Sequence, residues 1–539
     1  MKLKSIIIVL VMAAMPGFAQ KTEVALTPPM GWNSWNKFGG KISEKIIMEM
    51  ADAMVSSGMK EAGYEYIVID DLWQKGRFKD NQVTIEGRDK EGRLLVDSVK
   101  FPNGMKAVGD YIHAKGLKFG LYAGPGLTTC GNGPGSLGHE AIDVATYESW
   151  GVDFIKLDKC GFEGDVNKML NQWRGLLDKA TRPIVLSVNV GGVGYSGLPA
   201  TSNMWRTTSD IMAYWDTDPR VFKIFPSVTD VIAQHEKIAI AQFPSSWNDP
   251  DMMQVGNGKL TEAENKTHFF MWALFGAPLM TGNDLRSMSP ETKNIITNKE
   301  VIEINQDPLG FRGTKVADNE NGVQVWAKKL RKFSDYAVVV TNLTKRDTTV
   351  MFRKSTIGLK GSFFVRDLWT RKDLGSFTDS LPLTIASHGS AMLKITANER
   401  PVPIKSITPS LIYTSNLTLK AEDIAKFEAG RYDDKIKGFN GKWYLQGEVH
   451  EWGKLEAIWK VTATAKSKCK AEIRYVNLHD QDVTYELNGQ IVKLPKTPSG
   501  MWQTATVALG LEKGSNIVVL RSSKPTENNV CIDLIRIYR

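Results

Sequence analysis

Residues 151–160 read Gly151-Val152-Asp153-Phe154-Ile155-Lys156-Leu157-Asp158-Lys159-Cys160. An apolar run that breaks into charge at its end predicts a strand over Val152 to Lys159. Strand side chains repeat every second residue, so Lys156 and Asp158 share a face. The same pattern recurs on either side. Further strand candidates are Met30 to Trp35, Tyr64 to Asp71, Leu117 to Ala123, Pro183 to Val190, Met204 to Asp210, Ser246 to Met252 and Ala277 to Thr281. Amphipathic helical stretches lie between them: Ser43 to Met59, Met105 to Lys115, Ile142 to Trp150, Val166 to Ala180, Val228 to Ala241, Glu262 to Phe275 and Pro290 to Glu303. Eight alternations in about 275 residues predict a closed (β/α)8 TIM barrel over 26–310, with a doubly wound open sheet as the rival.

Beyond Pro308 the period shortens. Gly322 to Leu330, Asp335 to Thr344, Thr348 to Phe352, Phe363 to Trp369 and Ala391 to Thr396 read as short strands, predicting an antiparallel β-sandwich over 311–397. A Pro-containing linker follows at 398–410, then a second all-β stretch over 411–539 with strands Lys454 to Thr464, Lys470 to Asn477, Asp482 to Leu487, Trp502 to Leu509, Asn516 to Arg521 and Val530 to Tyr538. At roughly 100–200 residues per domain, the full length of 539 residues accommodates this division.

Residues 1–19 open with Lys2 and Lys4, continue apolar from Ile6 to Met15 and end Pro16-Gly17-Phe18-Ala19. That is the layout of a signal peptide, too short to span a bilayer, and it predicts an exported protein, periplasmic or secreted, without a membrane span. The stretch Phe269 to Met280 is interrupted by Gly276 and Pro278 and reads as a core helix and its exit. The formal net charge of +9 includes the two leader lysines and is otherwise dispersed, so no basic block points to nucleic acid. The seven His are scattered without a His-x-x-x-His pair, and no Cys-x-x-Cys occurs, which argues against zinc.

Catalysis in such a barrel belongs to the C-terminal ends of the strands. Those ends carry Asp70-Asp71, Asp158, Arg206 with Asp210, and Asp249-Pro250-Asp251, while Trp32, Trp35 and Tyr122 add aromatic faces. One Asp at a strand-to-helix turn is ordinarily a helix cap. Four acid-bearing strand ends with aromatics suit a sugar, whose C–H faces stack on rings and whose hydroxyls bond carboxylates. Two further carboxyls can cleave its glycosidic bond.

At Pro28-Pro29-Met30-Gly31-Trp32-Asn33-Ser34-Trp35, Ile69-Asp70-Asp71-Leu72-Trp73, residues 151–160, Trp205-Arg206 with Asp210, and Trp247-Asn248-Asp249-Pro250-Asp251-Met252, the chain resembles glycoside hydrolase family 27, the α-galactosidase and α-N-acetylgalactosaminidase group. The resemblance implies retaining double displacement with Asp158 as nucleophile and Asp210 as acid/base, their carboxyls about 5–5.5 Å apart. Lys156 is expected to keep Asp158 ionised and to bind a hydroxyl. The resemblance gives Arg206 to the ring hydroxyls, Asp70 and Asp71 to the 4- and 6-hydroxyls, and Trp35 and Tyr122 to the pocket wall. Asp251 falls to the hydroxyl beside the anomeric carbon. Asp249 reads equally as a loop or supporting residue. Cys130 and Cys160 match the family's disulfide, with two buried thiols as the alternative.

The family pattern breaks at Ser187-Val188-Asn189-Val190-Gly191, where Cys-Glu-Trp-Gly or a close variant is usual. Val188 and Ser202 stand where a second disulfide would form. Asn189 replaces the acid, and an amide can bond a 2-hydroxyl as donor or acceptor without charge. Loop structure is its competing role.

The C-terminal stretch is similar to carbohydrate-binding modules of families 6 and 35 at Leu419-Lys420-Ala421-Glu422, 438–445 and 532–537. That resemblance implies a candidate structural calcium at Glu422 and Asp533, although Lys420 stands where another acid is usual. Trp443, Tyr444, Trp452, Trp459 and Trp502 are candidates for sugar platforms or core, and Cys469 with Cys531 for an internal disulfide. No cofactor is required for catalysis. The leading expectation is an exo-acting α-galactosidase on α-galactoside oligosaccharides or polysaccharides. The rivals are the same machinery on α-N-acetylgalactosamine, β-L-arabinopyranose or α-glucosides, and a non-catalytic glycan-binding protein. Oligomeric state is not read from the sequence.

Overall fold

The computed structural model describes residues 24–80, 82–191, 198–216, 225–237, 242, 244–319, 322–332, 334–398, 411–412, 416–420, 426–428, 430–433, 444–447, 456–463, 466–477, 481–497, 503–512, 514–522 and 530–538. The leader, most of the linker, Glu422, Trp443, Trp452 and Trp502 lie outside them.

The eight expected strands form. They are β1 Met30–Asn33, β2 Tyr66–Ile69, β3 Lys118–Ala123, β4 Phe154–Asp158, β5 Val185–Asn189, β6 Met204–Arg206, β7 Trp247–Asp249 and β8 Leu279–Thr281. All neighbours are parallel in the order β8-β1-β2-β3-β4-β5-β6-β7. An isolated parallel bridge between Met253 and Thr281 joins the two ends. This curled eight-stranded sheet is the TIM-like barrel of the expectation, not an open doubly wound sheet.

Alternation along each strand sorts its side chains into two layers. Tyr66, Val68, Phe154, Val185, Met204, Trp247 and Met280 fill the interior. Ile67, Ile69, Ile155, Leu157, Leu186 and Trp205 face the surrounding helices. The acids therefore stand where the interior packing stops, at the C-terminal rim.

The helices begin where side chains can satisfy their first backbone N–H groups. Ser43 caps Glu44–Ser56, Asp165 caps Val166–Leu177, and Thr261 forms a reciprocal capping box with Glu264 on Glu262–Phe275. The last of these helices ends at Gly276, φ 63°, as the Gly-Pro interruption predicts. Two boundaries differ from expectation. The first strand stops at Asn33, whose Oδ1 accepts the Trp35 N–H and starts a short helix, Trp35–Phe38. The helix expected over Pro290 to Glu303 is two, Pro290–Ile296 and Lys299–Asn305, because the Asn298 side chain caps the second.

The first β-sandwich pairs a six-stranded sheet with a two-stranded one. In the larger sheet Val323–Lys329 and Asp335–Asn342 lie centrally with Ser390–Ala397, flanked by Thr314–Asp318, Phe363–Asp367 and Lys372–Phe377. Thr348–Arg353 pairs with Ser380–Ile385. The C-terminal stretch holds two six-stranded sheets around a core of its own, including Ala471, Ile473, Leu487, Leu494, Leu520 and Ile535. There Val476 is the register partner of Cys531, seven residues along one strand from Cys469. At roughly 3.3 Å per residue that separation is far beyond disulfide reach, so the Cys469–Cys531 pairing is excluded. Among the described residues no helix is long and apolar enough to cross a membrane.

Candidate active site

Each rim residue owes its place to the strand beneath it. Asp70 follows the last residue of β2, and its backbone N–H donates to Ser34 Oγ (2.9 Å). Its Oδ2 accepts from Asn33 Nδ2 at 2.8 Å and Lys156 Nζ at 2.7 Å. Lys156 and Asp158 share a face of β4 as predicted, with Nζ 3.9 Å from Asp158 Oδ2. The ammonium is thus nearer Asp70 than Asp158. It also lies 5.4 Å from the centroid of the Tyr122 ring.

The opposite side is organised by Arg206, at the end of β6. Its Nη2 lies 3.0 Å from Asp210 Oδ1 and 2.9 Å from Asp251 Oδ2. Asp251 sits at φ 87°, a backbone conformation side chains rarely adopt, and local hydrogen bonds hold it there. Its N–H donates to Asp249 Oδ1 (2.9 Å), while its own carboxylate accepts from the N–H groups of Ile211 and Met252. Asp249 therefore supports Asp251, and it also lines the cavity at the rim. Asn189 ends β5 as the register neighbour of Asp158 and lines that cavity with Asn33, Ser187 and Arg206 above a floor of Phe154, Met204 and Met280.

Cys130 and Cys160 form the expected disulfide. Their sulfurs and a carboxylate oxygen of Asp158 lie within 4.8 Å of one another, and Tyr122 Oη donates to Cys130 Sγ (3.1 Å). The bridge pins the loop after β3, from which the Gly131 N–H donates to Asp71 Oδ2 at 2.6 Å. Val188 and Ser202 are both fully buried. Trp35 is 37% exposed, on the short helix beside the mouth.

Burial raises the Asp158 carboxyl to about 6, despite the opposing ammonium of Lys156 and with help from the charges of Asp70 and Asp210. Lys156 acts in the expected direction, and although burial prevails the carboxyl is still mostly ionised at neutral pH. Burial likewise raises Asp249 to about 6 and Asp251 and Asp71 upward. Lys156 itself is held firmly protonated by Asp70 and Asp158 against the cost of its own burial.

Of the ten candidates read from the sequence, Lys156, Asn189, Arg206 and Asp251 line the cavity, and the reading missed residues that orient others among the ten. Asn33 and Ser34, which bind Asp70, lie inside the motif at 28–35, where alternation on β1 separates Asn33 from the buried Trp32. The Gly131 N–H carries no side-chain signal at all. Of the candidate calcium ligands, Glu422 is outside the described residues and Asp533 falls on the strand Val530–Tyr538.

A barrel whose rim joins several carboxylates through one lysine and one arginine, above an apolar floor, is the architecture of a glycoside hydrolase. A family model described as "Alpha galactosidase A" matches residues 27–307, and one described as "Alpha galactosidase C-terminal beta sandwich domain" matches 320–395. The chain belongs to the α-galactosidase family, glycoside hydrolase family 27. It is 41% identical over 399 residues to an α-galactosidase A of Cellvibrio japonicus, covering 70% of this chain and 94% of that one. An α-N-acetylgalactosaminidase of Gallus gallus is 34% identical over 396 residues, covering 69% and 93%. The crystal structure of α-galactosidase I from Mortierella vinacea superposes with a TM-score of 0.63 at 32% identity, over 70% of this chain and 99% of that one. Both family models end before residue 396, so the C-terminal β-module lies outside them.

Proposed function

We propose that this protein is a retaining, exo-acting α-galactosidase that removes terminal α-D-galactose from oligosaccharides or polysaccharides. The observation that carries the reading is the linked rim, Asp70–Lys156–Asp158 on one side and Asp210–Arg206–Asp251 on the other. Asp158 attacks the anomeric carbon while Asp210 protonates the leaving oxygen. Asp210 then takes a proton from the water that releases the sugar. The raised Asp158 carboxyl marks a water-poor site, where a carboxylate exchanges poor solvation for a bond to carbon. Asp70 and Asp71, at adjacent positions on the rim, bind the 4- and 6-hydroxyls. Lys156, Arg206 and Asp251 take the remaining hydroxyls, and Trp35 and Tyr122 form the wall.

Asn189, the register neighbour of the nucleophile, bonds the 2-hydroxyl, for which a neutral amide can act as donor or acceptor. A panel of nitrophenyl glycosides tests this. The α-galactoside should be turned over well above α-N-acetylgalactosaminide, β-L-arabinopyranoside and α-glucoside, with NMR showing α-galactose as the first sugar released. Preference for another glycoside, or β-galactose as first product, overturns the reading. We propose in addition that residues 1–19 direct export and that the C-terminal module retains the enzyme on glycans. N-terminal sequencing of the mature protein and polysaccharide pull-down of residues 411–539 test these two points.

A further inference from the structure

Among the site's carboxylates Asp210 is the one that burial does not hold. Its side chain is 62% exposed, against 15% for Asp158, 5% for Asp251 and 2% for Asp70. Apart from Arg206, its position depends on the backbone of the loop after β6. That loop is fastened near Asp210 by the Ile211 N–H on Asp251 Oδ2 (2.8 Å) and by Gln254 Nε2 on the Ile211 carbonyl (2.9 Å). Met212 N–H donates to the Pro226 carbonyl at 3.0 Å. Five residues beyond Asp210 the fastening changes in kind. Trp215, 6% exposed, stacks on the imidazole of His388, with ring centroids 5.2 Å apart and planes 20° from parallel.

His388 belongs to the first β-sandwich, in the turn between Ser380–Ile385 and Ser390–Ala397. Its backbone is left-handed, φ 56°. Nδ1 lies 2.6 Å from Glu264 Oε1, whose other oxygen closes the Thr261 capping box at 2.8 Å. The His388 carbonyl accepts from Thr267 Oγ1 at 2.8 Å. The ring is thus held at one edge by a barrel helix while its face supports the loop that carries Asp210. A helix-anchored ring under that loop restricts where the carboxyl can swing, and a misplacement of about 1 Å can cost a hundredfold in rate.

We propose that His388 is a positioning residue for Asp210, so that the sandwich module contributes to proton transfer. The inference rests on the acid/base role given to Asp210 above. In the first step the bond from the anomeric carbon to the leaving oxygen breaks as the bond to Asp158 forms, and Asp210 passes its proton to that oxygen. An alcohol leaving group needs this proton, whereas 2,4-dinitrophenolate departs without it.

The test compares kcat/KM for an α-galactosyl disaccharide and for 2,4-dinitrophenyl α-galactoside. His388→Asn tolerates the left-handed backbone and removes the ring, and it should lower the disaccharide value about tenfold while leaving the dinitrophenyl value within about threefold. Trp215→Leu should give the same split, and the double variant should be no worse than either single one. An equal loss on both substrates, or no loss on either, overturns the proposal. Asp210→Ala run alongside separates the two readings. If it discriminates by leaving group and His388→Asn does not, only the positioning role fails. If Asp210→Ala does not discriminate, both fail.

Discussion

Burial and Lys156 pull the Asp158 proton in opposite directions, and burial prevails, taking the carboxyl from 3.8 to about 6. Two outcomes follow with definite signs. Asp158 must be ionised to attack, so kcat/KM should fall as pH drops through about 6. Lys156→Met, which removes the cation that lowers Asp158, should move that acid limb higher. A limb that stays in place in a pH–rate profile would detach Asp158 from the chemistry. For stability the sign reverses. The protonated form is the one the fold favours, so its contribution is fully present below pH 3.8 and is lost as pH rises through about 6. At neutral pH ionised Asp158 therefore opposes folding by about 3 kcal/mol. Asp158→Asn should raise the melting temperature by a few degrees while lowering turnover at least about a thousandfold. Calorimetry at pH 7.5 beside the rate assay checks both, and a lower melting temperature contradicts the sign. This conflict between packing and function was invisible in the sequence, which shows Lys156 two residues from Asp158 but not the depth of either, nor that Lys156 lies closer to Asp70.

Among elements, the loops after β3 and β4 cross at very close range: a Cβ added at Gly126 would overlap the Gly161 backbone, and Gly161 has φ 63°. The Cys130–Cys160 bridge locks the crossing. Losing a bridge that closes a loop 30 residues apart in sequence should cost about 3 kcal/mol. Cys130→Ser with Cys160→Ser should therefore melt several degrees earlier. KM for the galactoside should rise more than kcat falls, because Gly131 no longer fixes Asp71. Thermal unfolding and kinetics measure the two effects, and an unchanged melting temperature would show that packing alone holds the crossing. Elements were legible in sequence wherever burial imposed a period. All eight barrel strands were, being short apolar runs between helical stretches, and four of them end in charge or directly before it. The hairpin Arg77–Lys79 with Gln82–Ile85 was missed because its second strand is exposed throughout and has no buried face to mark. Lys372–Phe377 is a mostly exposed edge strand, and Pro382 inside Ser380–Ile385 hid that strand until its place in a two-stranded sheet was seen. Gln490–Leu494 had a readable signal, Asn488-Gly489 at φ 48° and 80°, the two-residue hairpin turn.

For the whole molecule, the distribution of cores decides which parts depend on one another. The barrel's outer core does not stop at the barrel: Trp326, Ala337, Val339, Leu368 and Met392 of the sandwich belong to the same buried cluster as Phe269, Met271 and Ile296. Polar links reinforce it, with Arg366 making paired bonds to Glu300 and Asn298 Nδ2 donating to the Leu368 carbonyl. Among the described residues the C-terminal module differs, since its buried cluster contains none from either preceding part. Cutting after residue 310 would expose one side of a shared core, whereas cutting after 397 would remove a core complete in itself. The chain ending at 397 should then fold cooperatively and keep kcat/KM on a nitrophenyl α-galactoside within about twofold, surface changes remote from the site being nearly neutral. The chain ending at 310 should be insoluble or lack a cooperative transition. If instead the 397 form loses activity on the small substrate, the C-terminal module supports the barrel in a way its separate core does not explain. On an insoluble galactan the 397 form should be slower than the full chain, because only there would a retained glycan contact raise the local substrate concentration.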